Sequence, residues 1–141
     1  MLDGLAAYVR ALSPAACRSR ASQPVTVAGR MSDVRRALTA ADGALARKDP
    51  ATARVMVAAA RSGLGLVAER FEAPALGDDL AAIRTAAVDL GKLQNELTDP
   101  GAARALAAWT PRLDALQARL QRDEAQSLFN PRRLAASLRG G

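Results

Sequence analysis

The stretch that decides the fold reads DPATARVMVAAARSGLGLVAERF and spans residues 49–71. Its apolar positions step by four, three, four, three and four residues, which places them along one side of a helix. Asp49 is a good N-cap, and Pro50 suits the first helical position, where a missing N–H removes no hydrogen bond. The stretch therefore predicts an amphipathic helix whose apolar side must be covered by other segments. That side consists of Ala53, Val57, Ala60, Leu64, Val67 and Phe71.

A matching stripe precedes this helix. Ser32 or Asp33 is the predicted N-cap of a helix that runs to about Lys48. Only Lys48 and Asp49 separate it from the next helix, and so short a link predicts two antiparallel neighbours. Residues 13–30 carry Ser, Pro, Gln, Thr, Gly and three arginines without an acid, and we interpret them as a basic connector. The stripe consists of Met31, Val34, Leu38, Ala41 and Leu45.

Two further stripes follow. Asp78 or Asp79 is the predicted N-cap of a helix to about Leu97, and the pair Asp99-Pro100 repeats the cap-plus-proline pattern before the next helix. Pro111 should kink or divide that last helix near Thr110. The third stripe is Leu80, Ile83, Ala87, Leu90 and Leu97, widened by Leu93, and the fourth is Leu106, Trp109, Leu113, Leu116 and Leu120.

These patterns predict an all-α protein: an antiparallel up-down-up-down four-helix bundle with a short helix at each end. Residues 1–30 would form a short helix plus the basic connector, and residues 31–141 a single bundle domain. Asn130-Pro131 should start the last short helix, with Leu134 and Leu138 on one side. Gly63 and Gly65 in the central helix mark a close approach of another backbone, a local bend, or a tolerated loss of stability.

Alanine dominates the composition. Half of the 141 residues are hydrophobic, but 34 are alanine and only four are aromatic. Since each alanine buries little area, such a core gains its stability from close approach of helices rather than from large side chains. Exposed alanine-rich stripes would also suit pairing with a second copy of the chain.

The charge is positive and uneven. Twenty basic against fourteen acidic residues give a net charge of +6, and eighteen of the basic residues are arginine. The excess lies toward the two ends and favours weak attraction to acidic surfaces. However, stacking aromatic residues and a recognisable reading helix are missing, so nucleic-acid binding rests on charge alone. The candidate partner-binding residues are Arg18, Arg20, Arg30, Arg35, Arg36, Trp109, Arg132 and Arg133.

Residues 2–12 read Leu-Asp-Gly-Leu-Ala-Ala-Tyr-Val-Arg-Ala-Leu and stand before Ser13-Pro14. This segment resembles the C-terminal helix of c-type cytochrome domains. The resemblance covers residues 2–14 and implies the tail of a haem protein, or a relative of one without the haem. The Cys-x-x-Cys-His attachment motif is absent, so we expect no haem here. An ordinary amphipathic helix accounts for the same residues.

Most catalytic and cofactor chemistry is excluded by composition. The chain has no histidine and one cysteine, Cys17. Ser-His-Asp and Cys-His sites, histidine-ligated haem and ordinary zinc sites therefore cannot form. Carboxylates at the end of the central helix and the start of the next one are interpreted as solvated or capping groups rather than a cation site; they are Glu69, Glu72, Asp78 and Asp79.

We therefore expect a non-enzymatic interaction or accessory domain without cofactors, whose partner is another protein or a second copy of itself. The alternatives are a basic nucleic-acid or anionic-surface binder, and a small-molecule site inside the bundle near Trp109. No apolar run approaches the roughly 20 residues of a membrane helix, and residues 1–16 lack the pattern of a signal peptide. The sequence indicates a soluble protein but leaves its compartment open, with the cytoplasm as the default and the periplasm as the alternative if a leader was removed.

Overall fold

The computed structural model describes residues 24–140, and this part of the chain is helical without strands. The all-α prediction is confirmed. The predicted helix at residues 2–12, Cys17, Arg18 and Arg20 lie outside the described residues. The helices are α1 (Val27–Ala46), α2 (Pro50–Ala68), α3 (Gly77–Gln94), α4 (Ala102–Ala107), α5 (Trp109–Arg122) and α6 (Pro131–Gly140), with a 3₁₀ turn at Glu124–Gln126.

Buried residues follow one spacing along the chain. Six buried positions step by four, three, four, three and four in each of three segments: α2 with its C-terminal extension, α3 with its C-terminal extension, and α4 together with α5. That period of 3.5 residues keeps one side of each helix turned to its neighbours. The stripe predicted for residues 53–71 is confirmed in full. On α1 the buried residues are Val27, Met31, Val34, Leu38, Ala41 and Ala44.

Helix α1 begins earlier than predicted. Its N-cap is Thr26, whose hydroxyl accepts a hydrogen bond of 3.0 Å from the Gly29 amide, so the prediction of Ser32 or Asp33 is wrong. Val27 stands four residues before Met31 and extends the stripe by one turn. Arg30, assigned to the connector, therefore lies in the first turn of α1. The division of the chain into residues 1–30 and 31–141 stays a prediction.

The link between α1 and α2 supplies hydrogen-bond partners to backbone groups at the end of α1 and at the start of α2. Lys48 has φ 57°, and the amide of Asp49 donates to the Ala44 carbonyl at 2.9 Å. This is the hydrogen-bond pattern that closes a helix through a left-handed residue. The Asp49 carboxylate then caps α2 by accepting from the Thr52 amide at 3.1 Å, as predicted. The three linking residues leave α1 and α2 packed along each other, the most extensive helix contact in the described structure.

Helix α3 corrects two predictions. It begins at Gly77 after Leu76, with no side-chain cap, so Asp78 and Asp79 are first-turn residues rather than N-caps. Asp79 is 4% exposed and takes a position within the buried stripe. The stripe is therefore rotated from the predicted one: Leu80 and Ala87 are half-buried. The buried residues are Asp79, Ile83, Ala86, Leu90, Leu93 and Leu97.

The fourth stripe crosses a break. Pro111 lacks the amide that would bond to the Ala107 carbonyl, and the helix divides at Ala108, two residues before the predicted Thr110. Helix α4 begins at Ala102 with no side-chain cap, so the Asp99-Pro100 cap prediction is wrong. Because Ala108 keeps helical φ and ψ, the stripe continues across the break: Ala102, Leu106, Trp109, Leu113, Leu116 and Leu120 are all buried.

The C-terminal segment attaches beyond the end of α2. Phe129 is buried against Phe71, with ring centroids 6.0 Å apart. The Leu128 amide donates to the Arg70 carbonyl at 2.8 Å, and Arg70 donates back to the Leu128 carbonyl at 3.1 Å. Asn130 caps α6 as predicted, since its side-chain oxygen accepts from the Arg132 amide at 3.0 Å. Helix α6 itself buries no residue.

Candidate functional site

The predicted arginines of α1 do not act as one free cationic patch. Arg35 donates to Asp114 at 2.8 Å and also to Gln117, both on α5, so it joins two helices. The Arg36 side chain is 80% exposed and lies 3.9 Å from Asp33. Arg30 is half-buried on the rim of a groove between α1 and α2. Their spacing along the helix turns Arg35 and Arg36 to different sides.

Trp109 is a core residue, and the guanidinium of Arg112 covers one face of its ring. It is 6% exposed, and the Arg112 guanidinium lies 4.3 Å from its ring centroid. Arg112 also donates to Asp89 on α3 at 2.6 Å, and this hydrogen bond lowers the pKa of the Asp89 carboxyl. Trp109 therefore anchors the contact between α5 and α3. A cleft of about 290 Å³ opens beside it toward Thr39 and Asp42 of α1, near the lower limit for ligand sites.

An alanine-lined groove with arginines separates α3 from α5. Ala82 and Ala86 face Ala115 across it, and the small side chains leave an open volume of about 460 Å³. The prediction missed Arg112, Arg119 and Arg122, although their spacing of seven and three residues places them on one side of a helix. Each has a carboxylate nearby, so the groove is electrically compensated. The nearby carboxylates are Asp89, Asp79 and Asp123.

Asp79 and Asp123 lie together at one end of this groove, beside Arg119 and Arg122. Asp79 accepts from Arg119 Nε at 2.8 Å. A side-chain hydrogen bond with Asp79 raises the pKa of Asp123, since the protonated form is the one that can donate to a carboxylate. Within residues 24–140, no group of three or more Cys, Asp or Glu side chains is placed to hold a metal ion.

The most distinctive surface is a second apolar strip on α2. Val55 is 60% exposed and Leu66 43% exposed, and Ala59 and Ser62 between them are also exposed. These four residues, which we call the α2 strip, step by four, three and four. They lie on the side of α2 opposite its buried stripe. No charged residue interrupts the strip, so an uncharged helix side faces outward.

A groove runs beside the α2 strip. It has an open volume of about 470 Å³ and narrow walls made by Ala37, Ala59 and Gly63. Arg30 and Asp33 stand on its α1 side, and Leu66 lies at its margin. Small residues in such a groove allow another helix to approach closely. The strip and the groove together form a surface with apolar contact area, and Arg30 and Asp33 give its edge charges of both signs.

Helix α2 also has the length and composition of a membrane span, unlike the other helices of the described chain. It has 19 residues and a mean hydropathy of 1.2. Core helices of soluble proteins meet the same criteria, and five residues of α2 are buried in the helical core. The sequence prediction that the chain has no transmembrane segment therefore stays a prediction.

The C-terminal arginines lie on a different surface. Arg132 and Arg133 belong to α6 and line a shallow cavity with Glu72 and Leu128. They are far along the chain from Arg30 and Arg36, and α6 makes little contact with other helices. Comparison of the chain with protein-family models, curated proteins and solved structures finds no match.

Proposed function

We propose that this protein is a non-enzymatic helical interaction domain that associates with a second copy of itself through the α2 strip. The observation that carries the proposal is the exposure of Val55 and Leu66 on a helix whose opposite side is already buried. The strip repeats the four-three-four spacing of the interior stripes. Helices with that spacing pack side by side with interlocking side chains.

The charges at the edge favour a second copy over an unrelated partner. Arg30 and Asp33 stand together on the rim of the groove. In a two-fold interface, residue i of one copy meets residue j of the other and the reverse. Arg30 of each copy can therefore pair with Asp33 of its partner. Asp33 also lies 3.9 Å from the exposed Arg36 of its own chain. A rim that carries both signs can still be self-complementary, whereas a purely basic rim would repel its own copy.

We also propose an antiparallel up-down-up-down arrangement for α1, α2, α3 and the α4–α5 pair. Its support is the order of helix contacts, which runs from α1 to α2, α2 to α3, α3 to α5 and α5 back to α1. The antiparallel direction is supported by Asp79–Arg119 and Asp89–Arg112, since their positions advance along α3 and retreat along α5. Methyl NOEs between Leu38 of α1 and Leu113 of α5 are expected, and their absence would overturn the arrangement.

Multi-angle light scattering tests the self-association. The wild-type protein should approach twice the 14.7 kDa chain mass as concentration rises. Leu66→Glu places a charge in the strip and should shift the mass to that of the single chain, because an unpaired charge at an apolar interface is costly to desolvate. Leu66 is 43% exposed, so the variant should stay folded, which circular dichroism checks.

Val88→Glu is the matched control. Val88 is 57% exposed on α3, outside the strip, so this variant should associate like the wild type. A single-chain mass at every concentration would contradict the proposal. Association that Leu66→Glu leaves unchanged would show that another surface is responsible.

A further inference from the structure

The cleft beside Trp109 lies where α1 faces the break between α4 and α5. Its volume of about 290 Å³ is about ten times the volume that one molecule takes up in liquid water. It therefore has room for a ligand of roughly ten non-hydrogen atoms. Four of the residues that line it belong to the buried core, and we call them the floor of the cleft: Leu38, Leu106, Trp109 and Leu113.

The exposed residues around the floor offer mainly hydrogen-bond acceptors. Thr39, Asp42 and Thr110 line the cleft and are exposed. An ionised carboxylate only accepts hydrogen bonds, and a threonine hydroxyl can accept or donate. Ala107 also lines the cleft, and its carbonyl lacks the usual amide donor four residues later because that residue is Pro111. A ligand that donates several hydrogen bonds therefore suits these residues.

Asp42 sets the charge of the cleft. Within residues 24–140, its carboxylate takes part in none of the ion pairs. Arg35 is the one basic residue among those that line the cleft, and its guanidinium already donates to Asp114 at 2.8 Å and to Gln117. The cleft therefore favours a cation and disfavours an anion.

We propose that this cleft binds a small organic ligand with a primary ammonium group. The apolar body of the ligand lies on the floor, and Asp42 holds the ammonium. A primary ammonium has three N–H donors and no acceptor, which matches the carboxylate, hydroxyls and carbonyl around the floor. A quaternary ammonium has no N–H and relies on an open aromatic face, whereas Trp109 is only 6% exposed.

Fluorescence titration of the full chain tests this proposal, because Trp109 is the only tryptophan and lines the cleft. Four probes share a phenylethyl body and differ in the head group: 2-phenylethylammonium, its trimethylammonium analogue, 2-phenylethanol and 3-phenylpropanoate. The primary ammonium should cause a saturable change in Trp109 emission. It should bind about tenfold more tightly than the trimethylammonium analogue or the alcohol, and the carboxylate should bind least.

Three variants locate the binding. Asp42→Asn should weaken binding of 2-phenylethylammonium by about tenfold and leave that of 2-phenylethanol nearly unchanged. Asp78→Asn is the matched control: it makes the same change of net charge at an exposed first-turn residue of α3, outside the cleft, and should bind like the wild type. Ala107→Leu fills part of the cleft and should weaken the binding of every probe. Asp42, Asp78 and Ala107 are exposed, so all three variants should stay folded, which circular dichroism checks.

Three outcomes would overturn the proposal. The first is the absence of a saturable change in Trp109 emission at millimolar 2-phenylethylammonium. The second is binding of any of the other three probes as tight as that of the primary ammonium. The third is an equal effect of Asp42→Asn and Asp78→Asn. Because none of these variants lies on the α2 strip, such outcomes would leave the proposed self-association standing.

Discussion

At the residue scale, Gly63 and Gly65 lie two residues apart in α2 but differ in the space that a side chain would have. A Cβ on Gly63 would lie 2.8 Å from Cγ2 of Val34, which is 1% exposed in the core. A Cβ on Gly65 would meet nothing within 4 Å. Of the explanations left open by the sequence, close approach applies to Gly63, although the neighbour is the Val34 side chain rather than a backbone, and a tolerated loss of helix propensity applies to Gly65.

We therefore predict opposite effects of the same substitution. Gly63→Ala should lower the free energy of unfolding by about 1 kcal/mol, because overpacking against the stiff Val34 side chain outweighs the gain in helix propensity. Gly65→Ala should raise it by up to about 1 kcal/mol. Urea unfolding of both variants checks this. Equal changes of the same sign would show that α1 and α2 are not closely packed at this point.

Asp123 gives a prediction for pH dependence. Its pKa is raised by the hydrogen bond with Asp79 and by repulsion from that carboxylate. A raised native-state pKa stabilises the fold while the group is protonated; this contribution is complete below the ordinary value of 3.8 and is lost as pH rises through the native-state pKa. At neutral pH two carboxylates therefore face each other.

Asp123→Asn should accordingly raise the melting temperature at pH 7, since the amide can donate to Asp79 without adding charge. The difference from wild type should shrink as the pH falls through the raised native-state pKa of Asp123 toward the ordinary value of 3.8, and should change little below it. Asp42→Asn makes the same change of net charge on the exposed side of α1 and serves as the control. A pH-independent gain, or equal gains in both variants, would contradict this account of Asp123.

At the scale of the element, the interior stripes of α1, α2 and α5 were largely predictable, because their buried positions are apolar residues that recur every three or four positions in the sequence. The stripe of α3 was not. Asp79 looked like an N-cap, and only Arg119, forty residues later, makes its burial possible. Local spacing cannot reveal a partner supplied by another helix. The earlier start of α1, in contrast, could have been predicted, since Val27 stands four residues before Met31 and continues the apolar spacing.

The same limit applies to the candidate site. The predicted list relied on arginines, but Arg35 is engaged by Asp114 and Gln117, which the sequence does not place beside it. The α2 strip needed only the spacing of Val55, Ala59 and Leu66, which can be seen in the sequence once the buried side is known. The division of α4 from α5 was predictable from Pro111 to within two residues.

The pairing of α3 with α5 gives an element-scale prediction. Arg119→Ala should lower the free energy of unfolding by about 1–3 kcal/mol, because it leaves the carboxylate of Asp79 buried without its cation. The lower part of this range allows for solvent screening, since the Arg119 side chain is 41% exposed. Thermal or urea unfolding gives the measurement.

Arg36→Ala is the control for this pair. The Arg36 side chain is 80% exposed and 3.9 Å from Asp33, so its removal should change stability by less than about 0.5 kcal/mol. Similar losses in both variants would mean that the Asp79–Arg119 pair is not buried as described.

At the scale of the whole molecule, the described residues expose five large apolar side chains, and two of them, Val55 and Leu66, share one side of α2. Arg30 and Asp33 give the groove beside this strip rim charges of both signs. A rim with both signs favours a second copy. The net charge of +6 opposes close association of two copies at low salt, so moderate salt should strengthen self-association.

The most direct measurement is an isotope-filtered NOE experiment on a mixture of labelled and unlabelled chains. It detects contacts between copies only. Our account predicts intermolecular NOEs from the methyl groups of Val55 and Leu66 to residues of the partner's α2 strip or of the groove beside it. It would be contradicted by a dimer whose intermolecular NOEs arise elsewhere, or by the absence of any at concentrations that populate the associated state.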